Sequence, residues 1–293
     1  MEVAAVGVNF ADLLTVTGQF HLPTELPMTP GNEFSGTVSA VGPGVTRVAP
    51  GDRVMALTPR GGYADRAVVP ELLTVRLPVD MDLVTAAAAP VAYATAHVAL
   101  VAHGRLKAGQ TVVVTGASGS VGRATMESAR ELGATVIGVR RTAAAGPGAA
   151  HHSVFTADRT GDEVTGEIRA LTGGRGADLA VDLVGGPLTA SLLDAAAFGG
   201  TVLTVGFASG EVPQVSLGTL LMKTVGIAGF DLGLYLRERH EFLAGALDRT
   251  ARLMASGVFR PGCAQSLPLH AAPKVLSAMQ RAELPGKTVL VNE

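Results

Sequence analysis

The chain has 293 residues, 47% hydrophobic and 16% charged, with a formal net charge of −2. That length suits two domains, and the near-neutral balance gives no electrostatic case for nucleic acid or an anionic membrane as a partner. The single cysteine, Cys263, excludes an internal disulfide and a cysteine-rich zinc site and fits a reducing cytoplasm; no unbroken apolar stretch approaches ~20 residues, so no membrane span is expected, and no secretory leader is read.

Taken in order, residues 1–75 read as β-rich. Apolar runs at 3–8, 37–41, 53–57 and 63–69 alternate with Gly, Pro and Asp turns. The first run starts at Glu2 with no strand before it to pair with. Residues 82–103 form an alanine-rich helical stretch interrupted by Pro90, and the domain transition is placed there, at 91/92. From 111 to 229 strands alternate with helices, the pattern of an α/β doubly wound parallel sheet. The strands fall at 111–115, 135–139, 152–155, 178–182, 201–205 and 224–229, with helices such as 162–171 and 188–197 between them. Segment 143–150 is loop-like. A long helix at 237–256 ends at Gly257, and the tail carries a short strand near Leu267, a helix at 271–282 and a last strand at 288–291.

The most informative stretch is 111–122. Val112, Val113 and Val114 make a β-branched run that reads as a buried parallel strand. Gly116, Ala117, Ser118, Gly119, Ser120, Val121 and Gly122 follow, and a helical pattern runs on to Gly133. A strand, a glycine turn and a helix form the phosphate-binding half of a βαβ unit, whose helix N-terminus offers unpaired N–H groups and a partial positive charge. The fingerprint is imperfect, because Ala117 holds its first glycine slot. An acid about 20 residues beyond the loop would accept the ribose hydroxyls of NAD. Here the second strand ends in Arg140 and Arg141, eighteen and nineteen residues past Gly122, with no carboxylate. Two guanidinium groups suit a 2′-phosphate, so the cofactor is expected to be NADPH. Strand alternation turns only one of them to the ribose, and Arg141 is favoured. No nucleophile elbow surrounds Ser118, which reads as a phosphate-loop residue.

Further motifs carry a resemblance. They are Gly7-Val8-Asn9-Phe10-Ala11-Asp12, Gly31-Asn32-Glu33, Gly61-Gly62-Tyr63-Ala64, Thr95 after Pro90, Asp182-Leu183-Val184-Gly185, Gly206-Phe207-Ala208-Ser209-Gly210 and Gly286-Lys287-Thr288. In this serial order the chain resembles the medium-chain dehydrogenase/reductase superfamily, in its zinc-independent quinone oxidoreductase (zeta-crystallin-like) branch. The resemblance implies a discontinuous GroES-like substrate domain, 1–91 with 258–293, truncated at its N-terminus relative to the family, around a Rossmann domain at 92–257. Missing N-terminal strands would expose a sheet edge. It places the cofactor against Thr95, the loop 117–122, Val184, Gly206, Phe207 and Ala208.

Zinc-dependent relatives carry a histidine where this chain has Asn32, and an amide is a poor zinc ligand, so no metal is expected. Asn9 then becomes the candidate for orienting a substrate carbonyl through its amide; capping the turn before Ala11 is the other reading. Phe20 stands where relatives often have tyrosine, and Tyr63 or Tyr93 could replace that hydroxyl, though each also reads as structural. The function implied is NADPH-dependent reduction of quinones or α,β-unsaturated carbonyls. Enoyl-thioester reduction of the polyketide type and non-catalytic NADPH binding stand as alternatives. A homodimer through the edge strand 224–229 is expected, with a small-molecule quinone or enone as the other partner.

Overall fold

The computed structural model describes residues 1–20, 25–143 and 148–292. The chain forms two units, one of Met1–Ala94 with Leu232–Glu293, the other of Thr95–Asp231.

The second unit is built on six strands: β5 (Thr111–Val114), β6 (Thr135–Arg140), β7 (His152–Phe155), β8 (Ala177–Asp182), β9 (Ala196–Thr204) and β10 (Gly226–Gly229). Their order is β10-β9-β8-β5-β6-β7, and all neighbours are parallel. Alternation splits the side chains between two cores. Val112 and Val114 face the side of α4 (Ser120–Glu131), with Met126 and Ala129. Val113 faces the side of α5 (Gly161–Leu171) and α6 (Leu188–Ala195), with Ile168 and Leu192. A strand buried on both faces needs such a continuous apolar run. The order reverses between β5 and β8: the chain builds outward through β6 and β7, then returns and builds outward through β9 and β10. That switch point is where a doubly wound sheet opens a crevice at the carboxyl ends of its strands.

The elements of this unit match the expected ones, with two shifts. β9 begins earlier than 201, at Ala196. The edge strand begins at Gly226 rather than 224, because Thr224 takes a left-handed conformation (φ +52) as it closes α7 (Leu217–Lys223). Positions 144–147 of the expected loop lie outside the described residues.

The first unit holds a second six-stranded sheet. Its strands are β1 (Glu2–Gly7), β2 (Glu33–Thr37), β3 (Arg53–Leu57), β4 (Thr74–Arg76), β11 (Gln265–Pro268) and β12 (Thr288–Val291), in the order β11-β12-β1-β2-β3-β4. β1 sits between β12 and β2, with Val6 opposite both Leu290 and Phe34. Its core gathers Val3, Val6, Phe34, Ala56, Leu290 and Val275, the last from α10 (Ala272–Gln280).

Several expectations for this unit are corrected. The strand expected at 37–41 is β2 at 33–37. It carries Glu33 and Ser35 fully buried and Gly36 against the Glu2 carbonyl, so it lacks an apolar run. Residues 63–69 form no strand beyond one bridge between Arg66 and Glu2, while β4 was not anticipated. The helix expected at 237–256 is divided into α8 (Leu232–Glu238) and α9 (His240–Ala255). The face of α9 carrying Leu243, Leu247 and Met254 is buried, and the helix packs on β4 and the 3-10 turn Glu71–Leu73. Arg47 also pairs with Asp248 at 2.8 Å. By their contacts the helices from 232 onward therefore group with the first unit, which comprises 1–94 and 232–293.

Between the strands of this sheet lies an ion pair. The ammonium of Lys287, just before β12, meets the carboxylate of Glu33 on β2, with side chains 3% and 0% exposed. Lys287→Met leaves Glu33 buried without its counter-charge and is expected to cost about 3–5 kcal/mol. The double variant K287M/E33L removes the lone charge and should recover part of that loss, the rest remaining because Asn9 and the Val91 N–H lose their acceptor. Urea unfolding measures both, and an unchanged midpoint in K287M would remove the pair from the contacts that hold the sheet.

Candidate active site

In the second unit, β5 ends and the chain turns at Gly116, whose φ of +60 favours glycine. The positive φ therefore lies one residue ahead of the fingerprint's first slot. Ala117 has no left-handed φ, is buried, and gives its N–H to the Val139 carbonyl at 3.1 Å, so alanine serves there. The helix α4 starts after Gly119, which offers no side-chain cap. The first-turn N–H groups of Ser120, Val121 and Gly122 lack intrahelical acceptors. Ser118 and Gly119 are exposed, and Ser120 and Val121 half-buried. A Cβ on Gly119 would meet only the Gly116 carbonyl, at 3.3 Å, whereas one on Gly122 would strike that carbonyl and come within 2.9 Å of the Ala117 Cα. Gly122 thus seats the helix against the loop, and Gly119 leaves the space above it open. An uncapped helix start with open space before it can take an anion.

Arg140 closes β6. It is buried, its guanidinium donates to Ser153 Oγ at 3.2 Å, and burial followed by the charge of Arg123 lowers its pKa. Arg141, beyond the strand, is exposed.

The loops after β8 and β9 come together at the same end of the sheet. Ala208 N–H donates to the Leu183 carbonyl at 3.1 Å and Ser209 N–H to the Val184 carbonyl at 2.9 Å. Gly185, at φ +70, lies so close to Phe207 that a Cβ would approach its ring to 2.8 Å. Across the switch point, a Cβ on Gly116 would touch Val184 Cγ2 at 3.5 Å. The structure thus gathers Gly116–Gly122, Val184, Gly206, Phe207 and Ala208. Thr95 is buried on α3 (Pro90–His97).

Asp182 had no expected role, yet it organises this region. Fully buried at the end of β8, its Oδ1 accepts from Thr115 Oγ1 at 2.8 Å and from the N–H groups of Val184 and Gly185, each at 3.1 Å. Its Oδ2 accepts from Thr189 Oγ1 at 2.6 Å. One carboxylate thereby pins the loop after β8 to the loop after β5. The available signal was an acid closing an otherwise apolar strand just before Gly185-Gly186.

In the first unit the candidate residues form a buried polar network. Asn9 was expected to offer its amide to a substrate oxygen. Instead its Nδ2 donates to the Gly7 carbonyl at 3.2 Å and to Glu33 Oε1 at 2.9 Å, while its Oδ1 accepts from Lys287 Nζ at 2.8 Å. Both amide hydrogens are committed, so Asn9 is a cross-link rather than a donor to a ligand. Asp12 accepts from the Asn9 N–H at 2.8 Å and from the Tyr63 hydroxyl at 3.2 Å, both at Oδ2. Burial pushes its carboxyl up to about 6, against the Asn9 N–H and Lys287, which pull it down. Burial and then the Asp12 charge raise the Tyr63 phenol above its ordinary value. The Tyr63 ring lies over Gly31, whose φ is +105. Asn32 donates its amide to the carbonyls of Thr58 and Pro59, at 3.3 and 2.8 Å. Tyr93 stacks on Phe259 with ring centroids 4.5 Å apart, a packing role, and the half-buried Cys263 donates to the Gln265 carbonyl.

Two family models match: the alcohol dehydrogenase GroES-like domain over 1–79 and the zinc-binding dehydrogenase model over 120–252. The quinone oxidoreductase-like protein 2 homolog of Nematostella vectensis is 32% identical over 293 residues, covering 99% of this chain and 80% of that protein. The chain belongs to the medium-chain dehydrogenase/reductase superfamily, in its zinc-independent quinone oxidoreductase branch. The GroES-like sheet lies in its first unit and the Rossmann sheet in its second. The crystal structure of Escherichia coli quinone oxidoreductase complexed with NADPH is 28% identical with a TM-score of 0.88, covering 99% of this chain and 90% of that one. Erythronolide synthase EryA2 of Saccharopolyspora erythraea is 34% identical over 315 residues; the match covers 99% of this chain and 8% of that protein.

Asp182→Ala would strand two hydroxyls and two N–H groups. It is expected to destabilise the Rossmann domain by about 3 kcal/mol and to speed hydrogen exchange at the Val184 and Gly185 amides. Protection there equal to wild type would show that the loop is held by other contacts.

Proposed function

We propose that the chain is an NADPH-dependent, zinc-independent reductase of quinones or α,β-unsaturated carbonyls. The observation that carries this reading is the cradle at the switch point: an uncapped α4, open space above Gly119, and arginines at the end of β6 with no acid in that place. NADPH fits it and is the cofactor. The first-turn N–H groups would hold the pyrophosphate, Arg141 with Arg140 the 2′-phosphate, and Val184, Gly206, Phe207 and Ala208 the nicotinamide end, with Thr95 toward its amide. When bound, NADPH supplies a hydride. The protein's own share is orientation and exclusion of water. Among the expected catalytic pair, Tyr63 keeps a hydroxyl on a half-exposed side chain, and Asn9 holds the network behind it. The likeness to a polyketide synthase supports enoyl-thioester reduction as a second reading. The compartment we assign is the cytoplasm, on the single cysteine.

The test is turnover of a panel of quinones, enones and enoyl thioesters, with NADPH and with NADH. Preference for an enoyl thioester would favour the second reading, and NADPH binding without any turnover would leave a binding protein. In R140A/R141A the KM for NADPH is expected to rise at least tenfold, on the order of 1.4 kcal/mol, with that for NADH nearly unchanged. Equal effects on both cofactors would refute the arginine assignment.

We also propose a homodimer through β10. This strand lies at the edge of its sheet, with Ile227 partly exposed, and the adjoining α7 exposes Leu217, Leu221 and Met222. Sedimentation at micromolar concentration is expected to give a dimer; monomer alone would contradict this.

A further inference from the structure

The choice between NADPH and NADH falls to the Rossmann sheet and its helices, and a residue outside the β6 terminus bears on it. Leu132 closes α4 and Thr135 opens β6, so helix and strand run antiparallel. A Cβ on Gly138 would come within 2.9 Å of Met126 Sδ and 3.2 Å of Ala117 Cβ, so the Gly138 face of β6 lies against α4. Strand alternation puts Arg140 on that same face, about 6.6 Å further toward the carboxyl end. Three residues before Met126 on α4, about 4.5 Å in the same direction, stands Arg123 on the Met126 side of the helix. The two arginines are therefore level with each other beside the glycine loop. The backbone agrees: the Val139 carbonyl takes the Ala117 N–H at 3.1 Å, and the Gly119 carbonyl takes the Arg123 N–H at 2.9 Å.

The two side chains differ in freedom. Arg140 is buried and anchored to Ser153 Oγ, and Ser153 stands beside Gly138 in the register of β6 and β7. Arg123 is exposed, and its side chain makes no hydrogen bond or ion pair among the described residues. The first acid along α4 is Glu127, one turn further from the loop. Arg141 follows in alternation with Val139, whose side chain enters the α5 core, and so belongs to the other face. Two guanidinium groups on one face repel each other; burial and then the charge of Arg123 lower the Arg140 pKa. A phosphate monoester carries close to two negative charges near neutrality, and placed between two guanidiniums it replaces their repulsion by attraction to a shared partner.

We propose that Arg123, in the first turn of α4, is a specificity-determining residue that clamps the 2′-phosphate together with Arg140. The proposal rests on NADPH occupying the glycine-loop site and on nothing about the substrate. In this kind of fold the adenosine ribose lies at the end of the second strand, where Arg140 stands. Arg140 is the fixed jaw, held by Ser153. Arg123 is the free jaw, and its planar fork can close on phosphate oxygens that Arg140 leaves unserved. NADH has a hydroxyl in that place and gives Arg123 no charge to meet. The division of labour also sharpens the arginine assignment: Arg140 and Arg123 share a face, and the loss in R140A/R141A comes mainly from Arg140.

Calorimetric titration of the full chain with NADPH and with NADH tests this without turnover. In R123A the Kd for NADPH should rise at least tenfold, while that for NADH stays within about twofold. R123K keeps the charge and loses the fork, so its loss should be smaller than that of R123A; R141A should lose less than R123A. Adenosine 2′,5′-bisphosphate and 5′-AMP should repeat the contrast, which confines it to the adenosine end. Added salt should weaken NADPH more steeply than NADH in the wild type, and R123A should narrow that difference. Arg123 is exposed on a helix, where alanine is a better helix former, and circular dichroism confirms that R123A folds. Wild-type affinity for NADPH in R123A, or equal losses for both dinucleotides, overturns the proposal alone. A wild type that binds neither dinucleotide overturns the cofactor site and the proposal with it. A substrate panel without turnover removes the reductase reading and leaves these affinities to decide the proposal.

Discussion

The GroES-like domain depends on one ammonium group. Lys287 reaches into the sheet and binds a carbonyl beside β1, the amide of Asn9 and the carboxylate of Glu33. Glu33 in turn takes the Val91 N–H at 2.7 Å, so the charge pair also fixes the start of α3. Gly7 is required by the same cluster, since a Cβ there would collide with the Glu33 carboxylate and the Ala87 carbonyl. A buried pair of this kind gives little net stability against an apolar replacement. Its value here is geometric: every donor on Lys287 has one acceptor, and strands far apart in sequence can meet in one register only.

The Rossmann domain solves a comparable problem with an unpaired acid. Asp182 is held by hydroxyl and N–H donors alone. The Asp182 and Thr115 side chains bond each other, and four further hydrogen bonds tie them to their surroundings, the Leu183 N–H to Thr115 Oγ1 at 2.9 Å among them. The strand ends at the switch point are thereby stiffened where a cofactor must be met by fixed groups. The two domains share a logic: in each, a buried polar hub places backbone.

The Rossmann half was legible because its signals are local. Val112 to Val114 announce a strand buried on both faces, and the glycines after them announce the turn; even the misfit at Ala117 resolves into a shift of the positive φ to Gly116. The GroES-like half was less legible because its signals are remote. Glu33 reads as a turn residue until Lys287, 254 residues away, is beside it. Its strand was therefore placed too late. Asn9 looked free to bind a ligand because neither Glu33 nor Lys287 is near it in sequence. The helix α9 reads as one more Rossmann helix, and its packing on β4 is visible only in the fold. Asp182 was visible as a letter in a motif, but its contact with Thr115 exists only once β5 and β8 lie side by side.

That discontinuity has a consequence for how the chain comes off the ribosome. Synthesis runs at roughly 5–20 residues per second, so Lys287 emerges on the order of tens of seconds after Asn9. The Rossmann domain is contiguous and can be complete before the final strand exists. β1 cannot: its neighbour β12 follows the whole Rossmann domain in sequence, and until it is made Glu33 has no cation to meet. The nascent segment carrying β1 and β2 must therefore wait with an open strand and an unneutralised acid. That combination keeps it hydrated and discourages premature collapse until Lys287 is made.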